Sequence, residues 1–348
     1  MGGIKELKNL IYPNNYVGSS VEELLGEKYC RLDQAIPMKN FPFHARVLSA
    51  MNLTDTIKGI WEQFQGLVYY LGPEAVFVHV ETGDIKVVVD RCFDAKLGVK
   101  KRYEFLFTLN PNEDAQGPLN EEEIFHFLVY TTFRLLCIDD PFDGCDTLLQ
   151  YPYMNSKAIE KIHKGNYQFV FGENSNHCSE YIGDIAPVRW KNLPRFLKQA
   201  YTQAFSRGEE ECGCVRTAEA WLKIMRQVRD CLVFVNNQFR LCDPDMSNRI
   251  LFMEIDAYKI PVWAKKAIYW YHVGIDYDTQ TNGLVAGINR DGLLENKSQK
   301  NWMVNVDGTT SFVEPESSIR LKEGMQIWLT DSAKMQIVSG EIRDDREE

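Results

Sequence analysis

Two spacings of apolar residues divide the chain into a helical part and a β-rich part. Up to about residue 230, apolar residues mostly recur every three or four positions, which is the repeat of a helix that buries one face. After about residue 235 they alternate with polar residues, which is typical of strands with one buried face. The pattern predicts an α+β chain that is mainly α-helical first and ends in a small all-β domain.

Long helical patterns fill most of the first part. Apolar residues at helical spacing from Phe43 to Val68 predict a long, mostly buried helix. The stretch EEEIFHFLVYTTFRLLCI begins with acids, which favour a helix N-terminus, and is then apolar almost all round, as a core helix is. Two amphipathic helices are predicted in WKNLPRFLKQAYTQAFSRG and RTAEAWLKIMRQVRDCL.

Strand patterns occur once among the helices and again near the C-terminus. VFVHVETGDIKVVV contains two short apolar runs joined by a turn, and Gly83 provides the backbone freedom that such a turn needs. NWMVNVDGTTSFV alternates before and after an Asp-Gly turn, and SIRLKEGMQIWL continues the alternation. We therefore expect a short-stranded β-sandwich or barrel at 270–340.

The predicted organisation has five segments, with boundaries taken from these patterns. They are an N-terminal segment at 1–19, a helical domain at 20–232, a linker or intermediate module at 233–269, the β domain at 270–340 and an acidic tail at 341–348.

Composition and charge exclude several classes of function. The net charge is −10 and no basic run compensates for it, so binding to nucleic acid is not expected. No run of about 18 apolar residues and no secretion signal is present, so we expect neither a membrane span nor export. Nine cysteines without the spacing of a disulfide framework favour a reducing, cytoplasmic location.

Several motifs follow one another near the end of the helical part. They are W-x-x-L-P, Q-A-F-S-R-G and R-T-A-x-x-W, and their residues are Trp190, Leu193, Pro194, Phe205, Arg216, Thr217, Ala218 and Trp221. In this order they resemble the C-terminal lobe of a protein kinase, especially that of bacterial Ser/Thr kinase-like proteins. The resemblance spans residues 20 to 230 and implies that the segment 20–232 is a kinase-like C-lobe.

The resemblance implies that YLGPEAVFVHVETGDIKVVVDR is a kinase's catalytic loop and the metal-binding strand after it. A working kinase needs there an Asp base, an Asn that binds one metal ion and an Asp that binds another. In this sequence those positions hold Tyr70, Ala75 and Val89. Asp90 lies one residue further, but a lone carboxylate without the Asn would bind Mg²⁺ poorly. We therefore expect no catalytic residues, and Tyr70, Ala75 and Val89 mark degenerate positions.

Other parts of the kinase pattern are also missing. No glycine-rich loop and no phosphate-pairing Lys precede the position of the hinge, so the segment 1–19 is interpreted as a hinge remnant without an N-terminal lobe. The A-P-E motif is replaced by Phe105, Leu106 and Phe107. In kinases its Glu pairs with the Arg of the R-P-T motif, which implies that Arg216 must find another carboxylate or face solvent. We expect no bound cofactor.

The cysteines allow a weak zinc hypothesis. In similar bacterial proteins a zinc ribbon can follow the kinase lobe, and Cys212, Cys214, Cys231 and Cys242 fall in that region. Zinc usually binds to paired C-x-x-C motifs, whereas this set contains one C-x-C. We therefore expect thiols without metal and keep zinc as the alternative.

The sequence thus favours a catalytically inactive, pseudokinase-like scaffold or regulatory protein-binding module in bacterial signalling. By analogy with the kinase-like proteins that it resembles, its partners would be proteins such as a kinase, a phosphatase or a von Willebrand A-type protein. The alternative is an atypical metal-dependent phosphotransferase or nucleotide-binding protein that uses Asp84, Asp90 or the pair Asp139 and Asp140.

Overall fold

The computed structural model describes residues 10–11, 25, 28–101, 117–142, 169–172, 185–205, 216–235, 237–244, 250–274 and 284–339. The chain divides into two compact units, Met1–Arg226 and Gln227–Glu348. The first unit is mainly helical with a small sheet, and the second is built from antiparallel strands. The predicted combination of helices and antiparallel sheets is confirmed.

The described helices of the first unit are α1 (Leu32–Ala35), α2 (Phe43–Gln63), α3 (Val89–Cys92), α4 (Ala95–Lys101), α5 (Glu121–Cys137), α6 (Ile185–Lys191), α7 (Arg195–Phe205) and α8 (Ala218–Asp230). The predicted patterns form α2, α5, α6, α7 and α8, whereas the short helices α1, α3 and α4 are not predicted by the sequence. The predicted helix from 43 to 68 ends at Gln63, and Pro194 separates the third pattern into α6 and α7. Helix α8 begins in the first unit, and its last residues belong to the second.

Helix α5 forms the centre of the first unit, as its apolar sequence predicts. Its start is fixed by a capping box, in which Asn120 Oδ1 accepts from the Glu123 N–H and Glu123 Oε2 accepts from the Asn120 N–H, both at 2.9 Å. It ends at Cys137 and is followed by Ile138, whose φ is 76° and whose N–H donates to the Arg134 carbonyl at 2.8 Å. Nearly all of its side chains are buried, and it packs against α2.

A buried arginine ties α2 to the loop before it and to the end of α5. The guanidinium of Arg46 donates to the carbonyls of Ile36, Met38, Phe41 and Leu135 at distances of 2.8–3.3 Å. Burial, with Arg189 nearby, lowers the pKa of Arg46 to about 9. These four acceptors supply the hydrogen bonds that a buried guanidinium requires.

The small sheet of the first unit contains the predicted hairpin. Its strands are β1 (Leu10–Ile11), β2 (Tyr29–Arg31), β3 (Val76–His79) and β4 (Ile85–Val88), in the order β1-β4-β3-β2. Gly83 in the β3–β4 turn has a φ of +78°, and a Cβ there would lie 2.4 Å from the Ala45 carbonyl oxygen of α2. Ser49 and Asn52 of α2 donate to the Gly83 carbonyl at 3.2 and 3.0 Å. The turn therefore requires glycine and is anchored on α2.

The second unit contains two antiparallel sheets that share one core and a separate hairpin. The described strands are β5 (Leu232–Val235), β6 (Gln238–Leu241), β7 (Leu251–Ile255), β8 (Tyr258–Pro261), β9 (Ala267–Tyr269), β10 (Leu284–Ile288), β11 (Leu293–Asn296), β12 (Trp302–Val306), β13 (Thr309–Val313), β14 (Ser318–Arg320), β15 (Gln326–Trp328) and β16 (Lys334–Ser339). The larger sheet has the order β13-β12-β15-β16-β7-β8, the smaller has the order β14-β11-β10-β9, and β5 and β6 form the hairpin. The shared core resembles that of a β-sandwich.

The segment 233–269, predicted as a linker or intermediate module, contains strands in the structure. Strands β7 and β8 belong to the larger sheet, where β7 pairs with β16. The turn between β7 and β8 contains Asp256 with a φ of 49°, and it has no glycine that would mark it in the sequence. Asp tolerates this left-handed conformation better than most residues, so the turn forms without a glycine.

A motif of the β domain, N-x-S-x-x-x-W, forms a buried hydrogen-bond network. Ser298 Oγ donates to Asn296 Oδ1 at 2.7 Å and accepts from Trp302 Nε1 at 3.1 Å. The Asn296 amide donates to the carbonyls of Lys300 and Val313 at 2.9 and 3.0 Å. The polar residues of this motif therefore stabilise the connection between β11 and β12.

Candidate functional site

The structure brings together, around the β3–β4 hairpin, the three positions that the resemblance had singled out, Tyr70, Ala75 and Val89. The Val88 N–H donates to the Ala75 carbonyl at 2.8 Å, which places Ala75 beside the end of β4 and Val89. The Tyr70 N–H donates to the Cys92 carbonyl at 3.1 Å. Tyr70 and Ala75 are 0% exposed and Val89 is 1% exposed. These side chains lie inside the packed unit, so they present no group to a ligand in solvent.

Tyr70 packs within its own loop. A Cβ on Gly72 would lie 2.3 Å from the Tyr70 hydroxyl oxygen, so the ring lies directly against this glycine. The Tyr70 hydroxyl donates to Glu74 Oε2. The loop from Tyr70 to Glu74 is therefore held by an aromatic ring and one hydrogen bond to a carboxylate.

The carboxylates of the alternative hypothesis lie in separate places. Asp84 is exposed in the β3–β4 turn, and Asp90 lies in the short helix α3. Asp140 accepts from the Tyr130 hydroxyl and, at 2.9 Å, from the Phe142 N–H. Burial raises the pKa of its neighbour Asp139. Within the described ranges, no three His, Cys, Asp or Glu side chains come together as metal ligands.

Of the four weak zinc candidates, the structure describes two. Cys212 and Cys214 lie outside the described residues. Cys231 directly follows α8 and is fully buried, and Cys242 directly follows β6 and is 8% exposed. The Cys242 N–H donates to the Cys231 carbonyl at 2.8 Å. Burial raises the pKa of the Cys231 thiol well above its ordinary value.

Arg216 lies near a carboxylate that the sequence analysis had not identified. Its Nη1 is 3.9 Å from Glu122 Oε1 in the first turn of α5. Glu122 is one of three successive acids, and nothing in the sequence distinguishes it from the other two. The residues that replace the kinase A-P-E motif, Phe105, Leu106 and Phe107, lie outside the described residues.

A buried charged cluster at the end of α8 was not predicted. Asp230 Oδ2 and His272 Nε2 are 2.8 Å apart, and their side chains are 4% and 0% exposed. His272 Nδ1 accepts from the Tyr269 N–H at 2.9 Å, so Nε2 carries the proton that is donated to Asp230. The Lys266 ammonium donates to the carbonyl of Asp230 and, at 3.5 Å, to that of Arg229.

The electrostatics of this cluster fit a structural role. Burial opposes the ionisation of Asp230, but His272, Arg229 and Lys266 outweigh it and hold the pKa of Asp230 below its ordinary value. Burial lowers the pKa of Lys266 to about 8. A cation that bonds the last carbonyls of a helix stabilises the negative end of the helix dipole. The cluster therefore caps α8 and links its end to the strands around His272.

His126 is a second buried ionisable group that the sequence did not reveal. It is 5% exposed within α5. Neither of its ring nitrogens has a hydrogen-bond partner among the described residues. Burial, with Arg216 nearby, lowers the pKa of His126 to about 4. The side chain is therefore neutral at pH 7.

The larger sheet of the second unit exposes apolar side chains at one edge. Phe312 of the edge strand β13 lies directly opposite Met303, and Met303 lies opposite Trp328 on β15. Phe312 is 67% exposed, Met303 is 36% exposed and Trp328 is half-buried. Directly opposite residues share a face of the sheet, so these three side chains form a continuous row, here called the Phe312 row. Exposed apolar surface of this kind is common at protein-binding sites.

Comparisons with known proteins give little independent information about the family. No family model matches the chain, and no curated protein sequence matches it. Among solved structures, the chain is similar to the twitchin kinase region from C. elegans, at 10% sequence identity and a TM-score of 0.31. That alignment covers 91% of this chain and 55% of the twitchin chain, so this chain spans about half the length of that structure. A likeness at this level does not establish a shared fold.

None of the helices in the described ranges is both long enough and apolar enough to cross a membrane.

Proposed function

We propose that the chain is a catalytically inactive, pseudokinase-like scaffold that binds another protein in a bacterial signalling pathway in the cytoplasm. One observation carries the proposal: the side chains at the positions of the kinase base and metal ligands, Tyr70, Ala75 and Val89, are at most 1% exposed and form part of the core. Kinase catalysis depends almost entirely on positioning the nucleotide and neutralising its charge. Buried tyrosine, alanine and valine side chains neither position a nucleotide nor neutralise its charge.

The Phe312 row supports the binding part of the proposal. Phe312 lies on an edge strand, and edge strands are commonly protected from pairing by charged residues or proline. Strand β13 has the sequence TTSFV, which contains neither. An apolar row beside an unprotected edge suits a partner that contributes an extended segment or an apolar surface. A kinase, a phosphatase and a von Willebrand A-type protein are the partner classes suggested by analogy.

The experiment compares protein capture by three versions of the chain. Wild type, Phe312→Ser and Leu67→Ser are immobilised and exposed to a lysate of the source cell, and bound proteins are identified by mass spectrometry. Leu67 is a matched control because it is a 53% exposed apolar residue of the first unit. We expect wild type and Leu67→Ser to capture the same partner.

The Phe312→Ser variant should recover at least about tenfold less of that partner with an unchanged melting temperature, because truncating a central aromatic contact typically weakens binding by about 2 kcal/mol or more. Equal recovery by all three versions would show that the Phe312 row is not the binding surface.

The alternative, a metal-dependent phosphotransferase or nucleotide-binding protein, has no specific observation in its favour. Asp84 and Asp90 lie in other elements than the pair Asp139 and Asp140. Asp140, just after α5, accepts hydrogen bonds from the Tyr130 hydroxyl and the Phe142 N–H. A nucleotide-dependent rise in melting temperature would favour that alternative.

A further inference from the structure

Two cysteines face each other at the open end of the β5–β6 hairpin. The strands pair from Leu232 opposite Leu241 to Val235 opposite Gln238. Extending the register by one step sets Cys231 opposite Cys242, and the Cys242 N–H donates to the Cys231 carbonyl at 2.8 Å, while the Cys231 N–H donates to the Gln227 carbonyl of α8 at 3.0 Å. The two cysteines are therefore cross-strand neighbours.

Their side chains lie on the same face of the hairpin. Residues directly opposite each other in an antiparallel pair project to one face, and Val233 shares that face because it is two residues after Cys231. Val233 and Cys242 both pack in one cluster with Phe252, which is consistent with this orientation. Burial raises the pKa of the Cys231 thiol, although Lys266 nearby opposes this shift.

The backbone separation suits a disulfide. Directly opposite residues of an antiparallel pair have Cα atoms about 4.5–5.5 Å apart. Disulfides join residues whose Cα atoms are about 4.4–6.8 Å apart. We propose that Cys231 and Cys242 form a cross-strand disulfide when the protein meets a low-molecular-weight disulfide such as oxidised glutathione. This assignment does not depend on the proposed function.

The reaction is thiol–disulfide exchange in two steps. The thiolate of Cys242, the more exposed of the two, attacks the small disulfide, forms a mixed disulfide and releases one small thiol. The sulfur of Cys231 then attacks the Cys242 sulfur and releases the second small thiol. Two protein S–H bonds and one small S–S bond break, and one protein S–S bond and two small S–H bonds form. Two electrons pass to the small disulfide.

The disulfide would close a ring of residues that contains the two-stranded β5–β6 hairpin. A two-stranded hairpin is marginally stable in isolation. Phe234 and Phe239, which lie opposite each other on it, are 50% and 39% exposed. A cross-link that closes a ring of about a dozen residues is expected to lower the equilibrium constant of unfolding about 100-fold. The disulfide would thus hold this exposed aromatic pair in place.

The test equilibrates the reduced full chain with oxidised glutathione for hours, because exchange at buried thiols is slow. Remaining thiols are alkylated, and linked peptides are identified by mass spectrometry. We expect a Cys231–Cys242 linkage, with a loss of about 2 Da, at least about ten times more abundant than any other pair. The same treatment of the protein in denaturant should abolish this preference, since native register is then absent.

Three variants distinguish the proposed Cys231–Cys242 linkage from other reactions of the cysteines. Cys231→Ser and Cys242→Ser should lose the linkage, whereas Cys92→Ser, which removes a buried thiol of the first unit, should keep it. Linkage of either cysteine to Cys212 or Cys214 would overturn the assignment. So would glutathione adducts without the cross-link, or a bound zinc ion that protects both thiols until a chelator is added.

Discussion

Replacing His126 by phenylalanine should make the first unit less sensitive to mild acid. His126 is buried in α5, and neither ring nitrogen has a hydrogen-bond partner among the described residues. Burial, with Arg216 nearby, lowers its pKa from 6.5 to about 4. Phenylalanine has a similar shape and no group to protonate.

The direction and size of the effect follow from this pKa. The unfolded chain binds a proton at this position near pH 6.5, whereas the folded chain binds it only near pH 4. Between these values the unfolded state holds more protons, so the free energy of unfolding decreases as the pH falls. The whole decrease is about 3 kcal/mol, of which about 2 kcal/mol occurs between pH 7 and pH 5. That corresponds to about 4–8 °C in melting temperature.

Thermal unfolding at pH 7 and pH 5 measures the effect. Other groups also titrate in this range, so the quantity of interest is the difference between wild type and His126→Phe. We expect wild type to lose about 4–8 °C more than the variant on acidification. At pH 7 the variant should be at least as stable as wild type, because no hydrogen bond of the ring nitrogens is lost.

His44 provides the control for this prediction. It is half-buried in the first turn of α2, and burial lowers its pKa as well, without the nearly complete enclosure of His126. His44→Gln should therefore follow wild type more closely than His126→Phe does. Parallel pH dependences for wild type and His126→Phe would refute the reasoning.

Three further substitutions, the third of them a control, test the packing within each unit. Asp230→Ala leaves the buried Lys266 ammonium without a carboxylate nearby and the His272 N–H without its acceptor, and should decrease the free energy of unfolding of the second unit by about 3–5 kcal/mol in urea; an effect under about 1 kcal/mol would contradict the role assigned to this cluster. Gly83→Ala combines a strained φ of +78° with a clash at the Ala45 carbonyl and should cost at least about 2 kcal/mol. Gly66→Ala, with a φ of +77° and nothing within 4 Å, should cost only about 1 kcal/mol, and equal losses would show that the clash is relieved elsewhere.

Elements with strong local signals could be predicted from the sequence. Helix α5 has acids at its start and an apolar run of full helix length, and its limits in the structure agree with that pattern. The β12–β13 hairpin was predicted from its Asp-Gly turn, and Asp307 and Gly308 both have the positive φ that such a turn requires. In these cases a few neighbouring residues determine the conformation.

Features that depend on distant residues could not be predicted. Strand β7 pairs with β16, so Leu251 lies opposite Ser339, and no local pattern indicates this partnership. The pair of Asp230 and His272 is likewise separated by 42 positions. Each of these residues is unremarkable in its own segment. Only the folded chain brings the partners together.

The candidate site lies between these two cases. The sequence locates Tyr70, Ala75 and Val89 through a resemblance to kinases, and their burial agrees with apolar side chains at those places. The relation to kinases is a proposal, because it rests on the order of the motifs along the sequence. The sequence does not indicate which of their residues lie close together in the fold. The nearness of Glu122 to Arg216, for example, depends on how α5 lies beside the start of α8.

Nucleotide binding is the most direct test of the central claim, that the core fills the place where a kinase holds its nucleotide. The melting temperature of the full chain is measured with ATP alone, with Mg²⁺ alone and with both. A ligand at a hundred times its dissociation constant adds about 2.7 kcal/mol, or about 5–10 °C for a unit of this size. We predict no shift under any of the three conditions. A shift of several degrees that requires both ATP and Mg²⁺ would contradict the claim.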